Sequence, residues 1–159
     1  MIYVLIFLLI VFAVTSAAYV YREEILCHKY KFKHFDAVEI PYVTMDIQGN
    51  TMNMIVDTGC AVSLLNIPSL KHCELLYKKI DKEVTLAAIT EEKTRAKAIS
   101  VDFNIGKKKL TEEFFMQNVD DFGNFEKMHN LTIHGLLGSS FFNRYKCKID
   151  FRTHTLIVP

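Results

Sequence analysis

The segment Asp57-Thr58-Gly59-Cys60 lies between two apolar runs, Met54-Ile55-Val56 and Ala61-Val62-Ser63-Leu64-Leu65. An acidic residue at the end of a strand-like run, followed by glycine, is carried out of a hydrophobic core onto a tight loop. The chain must therefore build a strand, a carboxylate-bearing turn and a second strand. Thr58 can hydrogen-bond a neighbouring loop, and the Gly59 amide can approach the carboxylate with no side chain between them.

The residues around this segment read as mostly β. Tyr42–Ile47 and Met52–Val56 flank Gln48-Gly49-Asn50, a hairpin that delivers Asp57. Ala61 to Leu65 continues as a strand, and Pro68 to Lys79 as a short helix or irregular link. Val84–Ala88 and Ala96–Ile105 predict a second hairpin with Thr90 to Thr94 at its tip. Leu110 to Val119 predicts a further strand, and Asp120 to Asn130 a polar loop. Near the C-terminus, Thr132 to Arg144 reads as a buried strand, a glycine and a short helix that Ser139 or Ser140 could cap. Cys147 to Val158 then gives two alternating runs around a polar turn.

Two motifs in this order, Asp57-Thr58-Gly59 and Leu136-Leu137-Gly138, resemble the retroviral-type (retropepsin-like) aspartic protease family over about Tyr42 to Val158. The resemblance implies a mainly β, single-lobe closed β-barrel of the acid protease type with one short C-terminal helix. It implies an aspartic endopeptidase in which Asp57, Thr58 and Gly59 form the catalytic loop and the apolar-apolar-glycine element packs beside it. It further implies a flap hairpin over an extended peptide, here Leu86 to Lys97, with Ala87, Ala88 and Ile89 as the substrate-binding candidates. Family flaps are usually glycine-rich, whereas this one has none, and Cys60 stands where the family has Ser or Ala. Arg144, placed where the family carries a basic residue, is expected in a structural ion pair near a dimer contact.

Only one Asp-Thr-Gly occurs, and the chain is too short for a two-lobed arrangement. Peptide hydrolysis of this kind needs two carboxylates sharing a proton, because two close negative charges cannot comfortably coexist. One Asp57 per chain therefore requires a homodimer whose two-fold axis brings Asp57 against its own copy. In the family Thr58 bonds across that axis and terminal strands interleave, with Leu156-Ile157-Val158 the candidate here. A non-catalytic dimeric interaction or peptide-binding module of the same fold is the alternative. The other acids, Asp46, Asp102, Asp120, Asp121 and Asp150, lack a following Thr-Gly and read as turn or surface residues.

Residues 1–21 are almost wholly apolar, matching the roughly 20 residues of a membrane-spanning helix. The expected organisation is a transmembrane anchor over 1–21, a basic juxtamembrane linker over 22–34 and the protease domain over 35–159. No basic residue precedes the apolar run, whereas Arg22, Lys29, Lys31 and Lys33 follow it, which places the body on the cytoplasmic side. Export behind a signal peptide cleaved near Thr15-Ser16-Ala17 is the alternative. A net charge of +1 over 159 residues argues against a nucleic-acid partner. Cys27-His28 and His72-Cys73 are sequence neighbours that a strand would point to opposite faces, so neither a metal site nor a cofactor is expected. The expected partners are a peptide substrate, a second copy of the chain and a membrane.

Overall fold

A computed structural model describes residues 2–35, 38–87, 93–105 and 108–159. The apolar N-terminus forms one helix, α1 (Ile2–Leu26), of 25 residues. At 1.5 Å per residue it is about 37 Å long, enough to cross the hydrocarbon core of a bilayer. Its apolar side chains from Ile2 to Val14 are exposed and do not contribute to the core of the body. A membrane span and a signal sequence share this length and composition.

Only Cys27 separates α1 from the body. The segment expected as a linker over 22–34 instead carries the end of α1, strand β1 (His28–Lys31) and most of β2 (Lys33–Phe35). β1 pairs antiparallel with the last strand, β11 (Thr155–Val158), from His28 opposite Val158 to Lys31 opposite Thr155. β10 (Lys148–Asp150) covers the other edge of β11, giving a three-stranded sheet in the order β1-β11-β10. Alternation turns Tyr30, Ile149, Leu156 and Val158 towards the main core.

The larger sheet contains β3 (Val38–Ile47), β4 (Asn50–Val56), β5 (Ser63–Asn66), β6 (Tyr77–Ala87), β7 (Lys93–Ile105), β8 (Lys108–Gln117) and β9 (Gly135–Leu137). Its order is β2-β3-β4-β9-β5-β8-β7-β6. β3 and β4 are joined by a two-residue turn in which Gln48 and Gly49 have φ of 56° and 80°. Positive φ at both central positions matches the twist of the flanking strands, and glycine adopts it without steric cost. The sheet ends at β2 and β6, and no pairing between them is described, so the closed barrel expected from the sequence is an open pair of sheets. Met45, Ile47, Met52, Met54, Phe114, Phe141 and Leu156 are fully buried between the layers.

Among the described residues, three helical segments interrupt the strands. A 3-10 helix (Ile67–His72) fills the expected irregular link. α2 (Asp120–His129) replaces the polar loop expected at Asp120 to Asn130, and ends at Asn130, whose φ of 48° is left-handed. α3 (Ser139–Arg144) is the short C-terminal helix.

Candidate active site

Asp57 lies on the connection from β4 to β5, and β9 runs between those two strands. β4 pairs with β9 in parallel, Val56 facing Leu137, while β5 pairs with β9 antiparallel, Leu64 facing Leu136. The apolar-apolar-glycine element therefore sits under the Asp57 loop. The Asp57 amide donates to the Leu137 carbonyl at 3.0 Å, which fixes where the chain leaves the sheet.

The carboxylate is half-buried. Its Oδ1 accepts the Gly59 amide at 2.9 Å and the Cys60 amide at 3.2 Å. Two backbone donors on one oxygen aim the other oxygen away from the loop without using a side chain. Thr58 and Gly59 are exposed at the tip of the loop. The three residues expected to form the catalytic loop thus lie together, with Thr58 free to meet another surface.

The loop is held from beneath by the first turn of α3. The Ser139 amide donates to the Cys60 carbonyl at 2.8 Å and the Ser140 amide to the Ala61 carbonyl at 3.1 Å. The Ser139 hydroxyl adds a bond to the Cys60 carbonyl at 3.1 Å. A Cβ at Gly138 would collide with the Val62 carbonyl, so only glycine permits this approach. Helix-end amides that need acceptors satisfy loop carbonyls that need donors.

A second apolar cluster lies beside the loop. Leu64, Ala96, Ala98, Phe115 and Leu136 are buried in it, with Cys60, Val62, Ile80 and Val84 packed against it. It brings β6 and β7, the arms of the expected flap, against the loop that carries Asp57. Ala87 closes β6, whereas Ala88 and Ile89, the other substrate-binding candidates, lie outside the described residues. Val62, Ile80 and Val84 are among the partly buried residues of this cluster, and the sequence did not single them out. For Ile80 and Val84 the signal was a single apolar residue between polar neighbours. A cavity of about 550 Å³ opens at the irregularity between Lys79 and Glu83, lined by Tyr77, Ile80, Lys82, Lys97 and Met116 among others. Asp57 is not among its lining residues.

Cys60 carries no sign of activation. Burial pushes its thiol pKa up, and the charge of Asp57 adds to that effect against the Val62 backbone bond. A protonated thiol is a poor nucleophile. Of the remaining acids, Asp46, Asp102 and Asp150 take the expected turn and surface roles, whereas Asp120 and Asp121 open α2. Asp46 accepts the Gly49 amide, Asp102 the Thr111 hydroxyl, and Asp150 the Arg152 and Thr153 amides.

Arg144 forms the expected ion pair, with Glu112 at 3.2 Å. Glu112 itself was not singled out from the sequence. Its side chain is 0% exposed, and it accepts the Ser63 hydroxyl at 3.1 Å. Burial raises its pKa to about 7, against the opposing charge of Arg144 and the Ser63 bond.

Two solved structures resemble this chain. A retropepsin-like aspartic protease from Rickettsia conorii matches with a TM-score of 0.52 at 20% identity, over 83% of this chain and 90% of that one. The retroviral protease-like domain of Ddi1 from Leishmania major matches with a TM-score of 0.42 at 14% identity, over 77% of this chain and 96% of that one. No family model and no curated protein sequence matches the chain. The Rickettsia likeness is one of fold, and the chain has the retropepsin-like fold.

Proposed function

We infer that this retropepsin-like chain is a membrane-anchored aspartic endopeptidase, active as a homodimer in which two copies of Asp57 share one proton. The observation that carries the reading is the pinned carboxylate. Asp57 leaves the sheet at a position fixed by Leu137 and is aimed by the Gly59 and Cys60 amides. A surface turn has no need of a strand and a helix fixing its acid from two sides. The fold shared with a retropepsin-like protease supports the same reading.

In the proposed mechanism one Asp57 is ionised and takes a proton from an attacking water. The partner's Asp57 is protonated and hydrogen-bonds the scissile carbonyl, polarising it towards the tetrahedral intermediate. Titration belongs to the pair, because charging one carboxylate raises the proton affinity of the other. The exposed Thr58 is the residue placed to bond across the two-fold axis. An extended peptide would lie against Val62, Ile80 and Val84, its backbone supplying affinity and apolar side chains selectivity.

α1 is proposed as an uncleaved anchor, with the body beginning at His28 and facing the cytoplasm. Confinement to a membrane raises the effective concentration of partners and so favours the dimer. The test uses the full chain in detergent or nanodiscs, incubated with a diverse peptide pool over a range of pH, beside Asp57→Asn. Cuts mapped by mass spectrometry in the wild type and missing from Asp57→Asn support the peptidase. The same cuts in both proteins, or none from a wild type shown to be dimeric, refute it.

A further inference from the structure

A chain of polar contacts runs from the back of the Asp57 loop to the surface of the flap hairpin. The Gly138 amide donates to the Ser63 hydroxyl oxygen at 3.2 Å, and that hydroxyl donates to Glu112 at 3.1 Å. Glu112 accepts Arg144 at 3.2 Å. Arg144 also stands 3.9 Å from Glu113, which pairs with Lys82 on β6 at 2.7 Å. The members come from β5, β6, β8 and α3, far apart in sequence.

Burial divides this chain into two parts. Ser63 and Glu112 are fully buried, whereas Lys82 is 53% exposed and Glu113 is partly exposed. Exposed ion pairs contribute little, but a buried carboxylate that loses a partner is costly. The inner part, from Arg144 to Gly138, therefore sets geometry, and the outer pair decorates it.

We propose that Glu112 and Arg144 are positioning residues for Asp57, holding through Ser63 and the first turn of α3 the loop that carries the reactive carboxylate. The inference rests on the peptidase reading for its catalytic consequence, but not for its structural one. Arg144 closes the C-terminal end of α3, while the N-terminal end holds Cys60 and Ala61. The helix is thus clamped between Glu112 and the loop. Ser63 can receive the Gly138 amide and give its own proton to Glu112 only while Glu112 acts as acceptor. Ionised Glu112 is the stronger acceptor for both Ser63 and Arg144, and a proton on it weakens the first bond and removes the charge that the second pairs with.

The groups facing Glu112 are Ser63 from β5, Arg144 and Tyr145 from the end of α3, Cys147 beyond it, and Glu113 on its own strand. Burial holds the Glu112 carboxyl at about 7, and it also pushes the Tyr145 and Cys147 groups up. Among the groups named, Glu112 is the one placed to change charge near neutral pH.

The test follows amide exchange of Gly138, Ser139 and Ser140 in the full chain between pH 6 and 8, corrected for intrinsic rates, beside peptide cleavage. In the wild type these amides exchange through a local opening that releases Ser63 and Arg144 but leaves Glu112 buried. Their protection should therefore rise several-fold as pH increases through about 7, even though global stability falls with the same ionisation. Glu112→Gln should flatten that rise, and should lower kcat about tenfold with KM little changed. Lys82→Ala should leave both readouts within about twofold. Should Glu112→Gln fail to fold, Ser63→Ala breaks the same link without removing a charge and should also flatten the rise. Persistence of the pH-dependent protection in Glu112→Gln or in Ser63→Ala overturns the proposal. An absence of cleavage by a wild type that still shows the protection rise would refute the peptidase reading alone.

Discussion

Glu112 is a carboxylate with no exposed surface, beside an arginine that is 41% exposed. Charging such a group costs free energy that a half-solvated partner only partly returns. Between the ordinary carboxyl value of 4.5 and about 7, the folded chain holds a proton that the unfolded chain has released. Stability should therefore fall as pH rises across that window, by about 3 kcal/mol, and level off above it. Denaturant unfolding at pH 4.5, 6 and 7.5 checks this, and Glu112→Gln should remove the slope. Gly138→Ala should destabilise the fold by about 2 kcal/mol or more, because the Val62 carbonyl occupies the space of the new methyl. A melting curve measures it. Glu112 was partly legible beforehand, since Leu110, Glu112 and Phe114 alternate onto one buried face of β8. Its partners were not, because Ser63 is 49 residues away and Arg144 is 32. Asp57 was legible because every interaction that aims its carboxylate comes from within three residues.

At the scale of elements, local patterns carried most of the reading. The β3–β4 hairpin was visible in its Gln48-Gly49 turn, and β9 with α3 in an apolar run and a glycine, although that Gly138 is the N-cap and neither Ser139 nor Ser140 caps the helix with its side chain. α2 escaped because Val119 at its N-cap makes no side-chain bond and Gly123 lies inside it, so ordinary helix signals are missing. β1 escaped for a different reason. His28 to Lys31 is too polar to read as a strand alone, and β11, more than 120 residues later, supplies its pairing. A body begun at Phe35 would consequently lack β1, the buried Phe32 and the cover of one edge of β11. Deleting residues 1–27 should leave the body folded. Deleting 1–34 should cost several kcal/mol, with burial of Phe32 alone contributing roughly 2. Circular dichroism melts of the two truncations distinguish these outcomes.

The whole molecule departs most from expectation at its sheet edges. The expected barrel is open, and the terminal strand expected to interleave with a partner is the centre of a sheet within its own chain. β11 has β1 on one edge and β10 on the other, so Leu156-Ile157-Val158 offers no free edge to a second copy. A dimer would instead bring together the exposed Thr58 tips and the faces around them. No local pattern could announce this, because the use of both β11 edges is decided by segments at opposite ends of the chain. An active pair also predicts that activity per chain rises with concentration until the dimer is saturated, which dilution in detergent would follow.

The claim that two copies of Asp57 make one site is tested most directly by mixing wild type with Asp57→Asn. Total protein is held constant, the chains exchange freely and the initial cleavage rate is followed. If both aspartates are required, only pairs of wild-type chains are active. An equal mixture should then show about one quarter of the all-wild-type rate, the square of the wild-type fraction. A rate of about one half, falling in proportion to the wild-type fraction, would show that one Asp57 suffices and would contradict the account.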